Sequence, residues 1–367
     1  MIMRSIQRAP AGLGLAIAFV ACATGLGPGT GTPTGGQPSA PPTGWTTTAH
    51  EHVDLWLHGY AFLTADTARV PLFHRGYRQF IRDVRSKGGA FTQLDANADK
   101  LSARFRLNPA LVNGQFVPFY FSSFAEMQQV TDLFVRADGD PRAANDPTVR
   151  QLLAVLAASF PSPADRDWLR LFVQSLADEN ARFYQNYWST EQTSRAAARQ
   201  AVDSVWRQYL PRLQRFLNNT QQSSGELILA LPLGGEGRTI ALSKQQTDVA
   251  VGFPDSPSSA IEALYVFVHE TVNAITGPAI TDNITPAEQR SGAAVQYSAN
   301  ANVRAGAILL ERAVPELAAG YERFYLRSAG LTSPAANPAS AFAAAFPIPD
   351  AIRDAITRQL DVVLGGI

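Results

Sequence analysis

The chain has 367 residues, 31 basic and 31 acidic side chains, and a 46% share of hydrophobic residues. That length and apolar content suit one large or two smaller globular domains, each with enough material for a core. The balanced charge leaves no net field to draw in nucleic acid, and the single cysteine, Cys22, excludes an internal disulfide or an iron–sulfur cluster.

Arg4 and Arg8 precede the apolar run "AGLGLAIAFVAC", residues 11–22, which is too short to remain as a membrane span and has the form of a secretory segment. Cys22 follows Val20-Ala21, where small residues close that run, and the arrangement resembles a bacterial lipobox with Phe19 in the place usually held by leucine. The resemblance implies a lipoprotein signal peptide over 1–21 and lipidation at Cys22. The membrane is then a partner through the lipid, and the location is the periplasmic side of the cell envelope. The start "CATG" carries no aspartate, which favours the outer membrane. Simple cleavage near Ala21 or Ala23, giving a free secreted chain, is the alternative. Residues 22–44, rich in Gly, Pro and Thr, bury too little to order themselves and read as a flexible tether.

Residues 45–220 form a helical region. "VDLWLHGYAFL", "YRQFIRDVRS" and "SSFAEMQQVTDLFVRA" repeat apolar residues at three and four positions, the last opening on Ser123 with Glu126 as a capping box. "SPADRDWLRLFVQSLADENARFYQNYW" and "RAAARQAVDSVWRQYLPRLQRFLNNT" continue the pattern, and Pro211 predicts a kink or break in the second. His50, His52 and His58 read as the exposed start of the first helix, although His50-x-His52 has the composition of a metal pair.

Residues 221–367 form the second region. "ELILALP", "RTIALS" and "TDVAVGFP" read as three strands, the first two joined as a hairpin by "LGGEG". A helix then opens on Ser259 with Glu262 three residues on, and Gly277-Pro278 is its predicted stop. Its buried stripe is Ile261, Leu264, Tyr265, Val268 and Val272, while His269 and Asn273 lie one turn apart on another face. A further helix begins at Thr285-Pro286-Ala287-Glu288, kinks at Pro315 and carries a polar stripe, Gln296, Asn300 and Arg304, expected beside the previous helix. Tyr297, Tyr321 and Tyr325 read as core, with oxyanion stabilisation the alternative. The fold class is α+β, predominantly α.

The stretch "VHETVN", residues 268–273, is one residue from H-E-x-x-H, which sets two imidazoles on one helix face and a glutamate beside a zinc-bound water. A small sheet, this helix and a second long helix, over roughly 226–320, resemble the zincin metallopeptidases, and more narrowly the glutamate-zincin group. The resemblance implies His269 as first zinc ligand, Glu270 as general base, Asn273 in the place of the second ligand and a carboxylate from the next helix as the third. Glu288 and Glu311 are the candidates for the third, neither at the usual separation, and Glu288 is also explained as a helix cap. A carboxamide binds zinc poorly, so the expected function is an envelope lipoprotein with an impaired metallopeptidase-like site for a peptide or protein substrate, zinc being its only implied cofactor. A non-enzymatic envelope binding or scaffolding protein and an active zinc peptidase with a substituted ligand set are the alternatives.

Overall fold

The computed structural model describes residues 44–64, 67–331 and 338–365. The signal segment, Cys22 and the tether up to residue 43 lie outside the described residues. Among the described residues no helix is long and apolar enough to cross a membrane.

A four-stranded mixed sheet divides the molecule. Its strands are β1 (Trp45–Thr48), β2 (Gly225–Ala230), β3 (Arg238–Ala241) and β4 (Thr247–Gly252), in the order β1-β2-β4-β3. The first three in that order run parallel, and β3 closes one edge antiparallel to β4, with Thr239 opposite Val249. Both inner strands are apolar on both faces, as a doubly covered sheet requires. Leu227, Leu229, Val249 and Val251 join one core, while Ile228, Ala230 and Ala250 join the other with Ile240 of β3.

The second core belongs to the N-terminal half: α1 (Glu51–Leu63), α2 (Tyr77–Ser86), α3 (Gln93–Leu107), α4 (Phe124–Arg136), α5 (Pro147–Ser159) and α6 (Pro163–Glu179). A π-helical turn at Asn180–Tyr184 leads into α7 (Gln185–Ser194), and α8 (Ala196–Asn219) returns the chain to the sheet. The opposite core is covered by α8 together with α9 (Ile261–Thr271), α10 (Asn273–Asn283), α12 (Ala293–Ala313), α13 (Pro315–Ser328), α14 (Pro338–Ala345) and α15 (Asp350–Val363). The short α11 (Pro286–Ser291) precedes α12.

Several expectations change. The hairpin joins β3 to β4, not β2 to β3, because β4 takes the central place beside β2. The glycine loop instead packs on residues 70–73: Gly234 and Gly235 donate to the carbonyls of Leu72 and Pro71, and a Cβ on Gly235 would lie 2.8 Å from the Val70 side chain. β1 has no strand signature in the sequence, since "WTTT" is short and its apolar member, Trp45, works through its ring. That ring meets Phe267 edge-on at 4.9 Å, and its indole N–H donates to the Gln222 carbonyl at 3.0 Å.

The first helix is no exposed start. Residues 52–63 are all buried, because α1 lies between the sheet and α6. Its Asp54 accepts from Tyr184 Oη, Trp188 Nε1 and the Leu231 N–H, and His58 faces Tyr77 and Glu179. Pro211 stays inside an unbroken α8. The motif helix breaks at Val272, ahead of the predicted stop, and Pro278 lies within α10. Ser259 pairs with Ser256 in a preceding 3-10 turn, leaving Glu262 to bond Arg327 at 2.6 Å. Thr285 and Glu288 do form the reciprocal cap, but Gly292, at φ 78°, then splits the run into α11 and α12. Pro315 starts α13 at its first turn instead of kinking a longer helix.

Candidate functional site

The helix carrying the motif is buried on every side over residues 263–271, not only along the expected stripe. It packs on β4 and β3 and is covered by α8, α12 and α13. His269 and Glu270 therefore lie inside the protein, at 2% and 6% exposure. At the break, Val272 N–H bonds back to the Val268 carbonyl and Asn273 emerges exposed as the first residue of α10.

These residues border a cleft of about 170 Å³ that is lined in part by the edge strand β3. It is lined by His269, Glu270 and Asn273, by Asn302 of α12, by Arg238 and Thr239 of β3 with Glu236 just before them, and by Phe116. The one-turn spacing of His269 and Asn273 thus brings both to the same cleft, as their positions predict. The expected polar stripe of α12 turns elsewhere: Asn300 donates to the Pro347 carbonyl and Arg304 lies over the Phe342 ring. Asn302 takes its place and accepts from Thr276 Oγ1 at 2.5 Å.

Glu270 is fully engaged. Its Oε1 accepts the Gly237 N–H at 3.0 Å and faces His269 Nδ1 at 3.0 Å, and its Oε2 accepts from Thr239 Oγ1 at 3.1 Å. Burial alone would push this carboxyl up. The His269 imidazole, the Arg238 guanidinium and the Gly237 N–H outweigh burial and hold it below the usual carboxylate range. An ionised Glu270 can only accept, so His269 Nδ1 is the donor of this pair. Arg238 is itself fixed by Gln115 Oε1 at 2.9 Å, the Gly237 carbonyl at 2.8 Å and the Phe116 ring.

The donor set does not fit zinc. A catalytic zinc needs three protein ligands converging on one point with a fourth position open. The cleft offers one imidazole, the Glu270 carboxylate already holding a strand and the Glu236 carboxylate 3.9 Å from Arg238, and Asn273 adds only a carboxamide. Among the described residues no group of three His, Cys, Asp or Glu side chains could hold a metal. Glu288 does not line the cleft: it caps α11 through Thr285 and accepts from Tyr297 Oη at 3.0 Å. Glu311, the other candidate, does not line it either.

His50 and His52 do not contribute to this cleft. His50 Nε2 lies 2.5 Å from Glu226 Oε2 beside β1, and His52 is buried, which lowers its imidazole to about 4. Two larger hollows, of about 580 and 600 Å³, flank α6 and share Arg170 and Gln174, but neither brings catalytic-type groups together. Sequence reasoning missed Arg238, Thr239 and Asn302. The first two were legible only as strand residues, and Asn302 lay outside the chosen stripe by two positions. The chain matches no known family model, no curated protein and no solved structure.

Proposed function

We propose that this is an exported, lipid-anchored protein of the bacterial envelope, with a metallopeptidase-like body whose cleft binds an extended polypeptide without zinc-dependent hydrolysis. The observation carrying this reading is the engagement of Glu270: the carboxylate that would activate a water is bonded to Gly237, Thr239 and His269 instead. Binding is favoured by the position of the cleft. β3 is an edge strand, so a peptide can extend the sheet there by backbone hydrogen bonding. Asn273 and Asn302 present carboxamides, which pair with peptide groups as both donors and acceptors. A cleft of about 170 Å³ is below the size of a drug-sized ligand site and suits a single side chain of a longer segment.

The purified protein, mixed with a library of unstructured peptides, should show saturable binding that weakens at least about tenfold in an Asn302→Ala variant, a change of about 1.4 kcal/mol. Mass spectrometry should find those peptides intact with and without added zinc. Zinc-dependent cleavage, or no binding to any peptide, would defeat the proposal. Incorporation of labelled fatty acid that disappears in Cys22→Ala checks the anchor separately.

A further inference from the structure

The two hollows flanking α6 differ in charge. The one of about 580 Å³ carries Asp132 and Asp178, while the one of about 600 Å³, between α6 and α3, carries Lys100 and Arg104, and Arg170 lines both. Lys100 and Arg104 are one turn apart on α3 and so share a face. Asp167 is the one carboxylate lining the larger hollow among the described residues. It pairs with Arg170 at 2.9 Å, and the buried Asp165 holds Arg104 at 2.6 Å. Three cations against two carboxylates leave one positive charge over.

An isolated surface cation is ordinarily a solvated group. Here three converge on one concave surface, and their donors are not used up. Lys100 is exposed and has no hydrogen bond or ion pair among the described residues. A guanidinium carries five N–H donors, so Arg104 and Arg170 keep donors beyond those pairs. The remaining lining is largely apolar: Leu101, Leu171 and the Trp168 ring, whose indole N–H is spent on the Leu101 carbonyl at 3.0 Å. Cations beside an apolar lining suit an anion attached to an apolar body. Volume agrees, because about 600 Å³ is in the range of a small-molecule site and far above what a bare inorganic ion fills. Phosphate matches three cations better than carboxylate does, since a monoester offers three terminal oxygens and up to two negative charges.

The geometry points to a binding site between α3 and α6 for an organic phosphate monoester, held by Lys100, Arg104 and Arg170 with its apolar part against Leu101, Leu171 and Trp168. Two sources share this chemistry: a soluble phosphate ester, and the headgroup of phosphatidic acid in a membrane. The site shares no residue with the cleft beside β3 and does not depend on what that cleft binds.

Calorimetry on the full chain tests the site with phenyl phosphate, inorganic phosphate and benzoate, and co-sedimentation tests it with phosphatidic acid vesicles against phosphatidylcholine ones. Saturable binding of phenyl phosphate, at least about tenfold tighter than either small control, identifies a soluble ester as sufficient. A preference for phosphatidic acid without it identifies the headgroup. Either binding should weaken at least about tenfold in the double variant Lys100→Gln, Arg170→Gln and persist in Asp132→Asn, on the other side of α6. Arg104 is left intact in these variants because it holds Asp165. On the unmodified chain the same binding should weaken as sodium chloride rises from about 20 to about 500 mM, a readout that needs no variant to fold. No saturable binding of either ester, benzoate or inorganic phosphate bound as tightly as phenyl phosphate, or binding unchanged in the folded double variant would each overturn the assignment.

Discussion

Glu270 reaches from a helix to a strand, and that contact gives the cleft its character. Truncation by Glu270→Ala would leave the Gly237 N–H, the Thr239 hydroxyl and His269 Nδ1 without their acceptor. Breaking a buried charged group of this kind is expected to cost about 3 kcal/mol, read as a lower urea midpoint. A loss under about 1 kcal/mol would mean that the carboxylate does not hold β3. Part of this site was visible in the sequence, because i, i+4 spacing on a helix fixes which side chains share a face. Gly237 and Thr239 were not visible. They stand 33 and 31 residues before Glu270, and no local pattern encodes which strand edge meets which helix.

At the scale of elements, the arrangement depends on how closely β3 approaches α9. Gly237 sits where that approach is tightest: a Cβ there would lie 2.4 Å from the Ala250 carbonyl oxygen and 2.8 Å from Glu270 Cγ. Gly237→Ala should therefore shift β3 outward at about 1–3 kcal/mol. Hydrogen exchange would show faster amides over 238–241 while β2 and β4 stay protected; unchanged rates would contradict the close contact. Helices were legible where capping and period agree, as at Ser123 with Glu126 and Thr285 with Glu288. Their ends were less so. Gly277-Pro278 looked like a stop, yet α10 contains both residues, and the chain breaks at Val272, which carries no breaker signal. Strand order was hidden because "ELILALP" and "TDVAVGFP" are equally apolar, so neither reveals that the more polar β3 takes the edge beyond them.

Across the whole molecule, two helical cores press on opposite faces of one sheet, and ionisable groups are buried in both. Their proton linkage has two opposite signs. Burial pushes Glu179 up, but His58, Arg85 and Thr92 outweigh it and hold the carboxyl below its ordinary range, as neighbours do for Glu270. Their contribution is complete above the unfolded value near about 4.3 and is lost as pH falls through the lower folded values. Asp54 behaves in reverse: burial raises it to about 7 against the bonds from Tyr184 and Leu231. The stability it lends is present below about pH 3.9 and disappears as pH rises through about 7. Denaturation across pH should thus lose stability steeply below about pH 4, with Glu270→Gln flattening that limb. Asp54→Asn should flatten the fall between about pH 4 and 7. A profile unaffected by either change would contradict the assigned shifts. The predominantly helical α+β class was readable from periodicity alone. The division into two cores was not, since β2 and β4 each contribute alternate residues to both.

The donors of the cleft do not converge on a metal, and that absence of a zinc site is the central claim. Its most direct test is the zinc-to-protein ratio after equilibration with micromolar zinc and removal of free ion. The unmodified chain should retain far less than one equivalent. Asn273→His, which sets a second imidazole one turn from His269, should bind zinc at least about tenfold more tightly. One equivalent held by the unmodified chain and lost in His269→Ala would contradict the account.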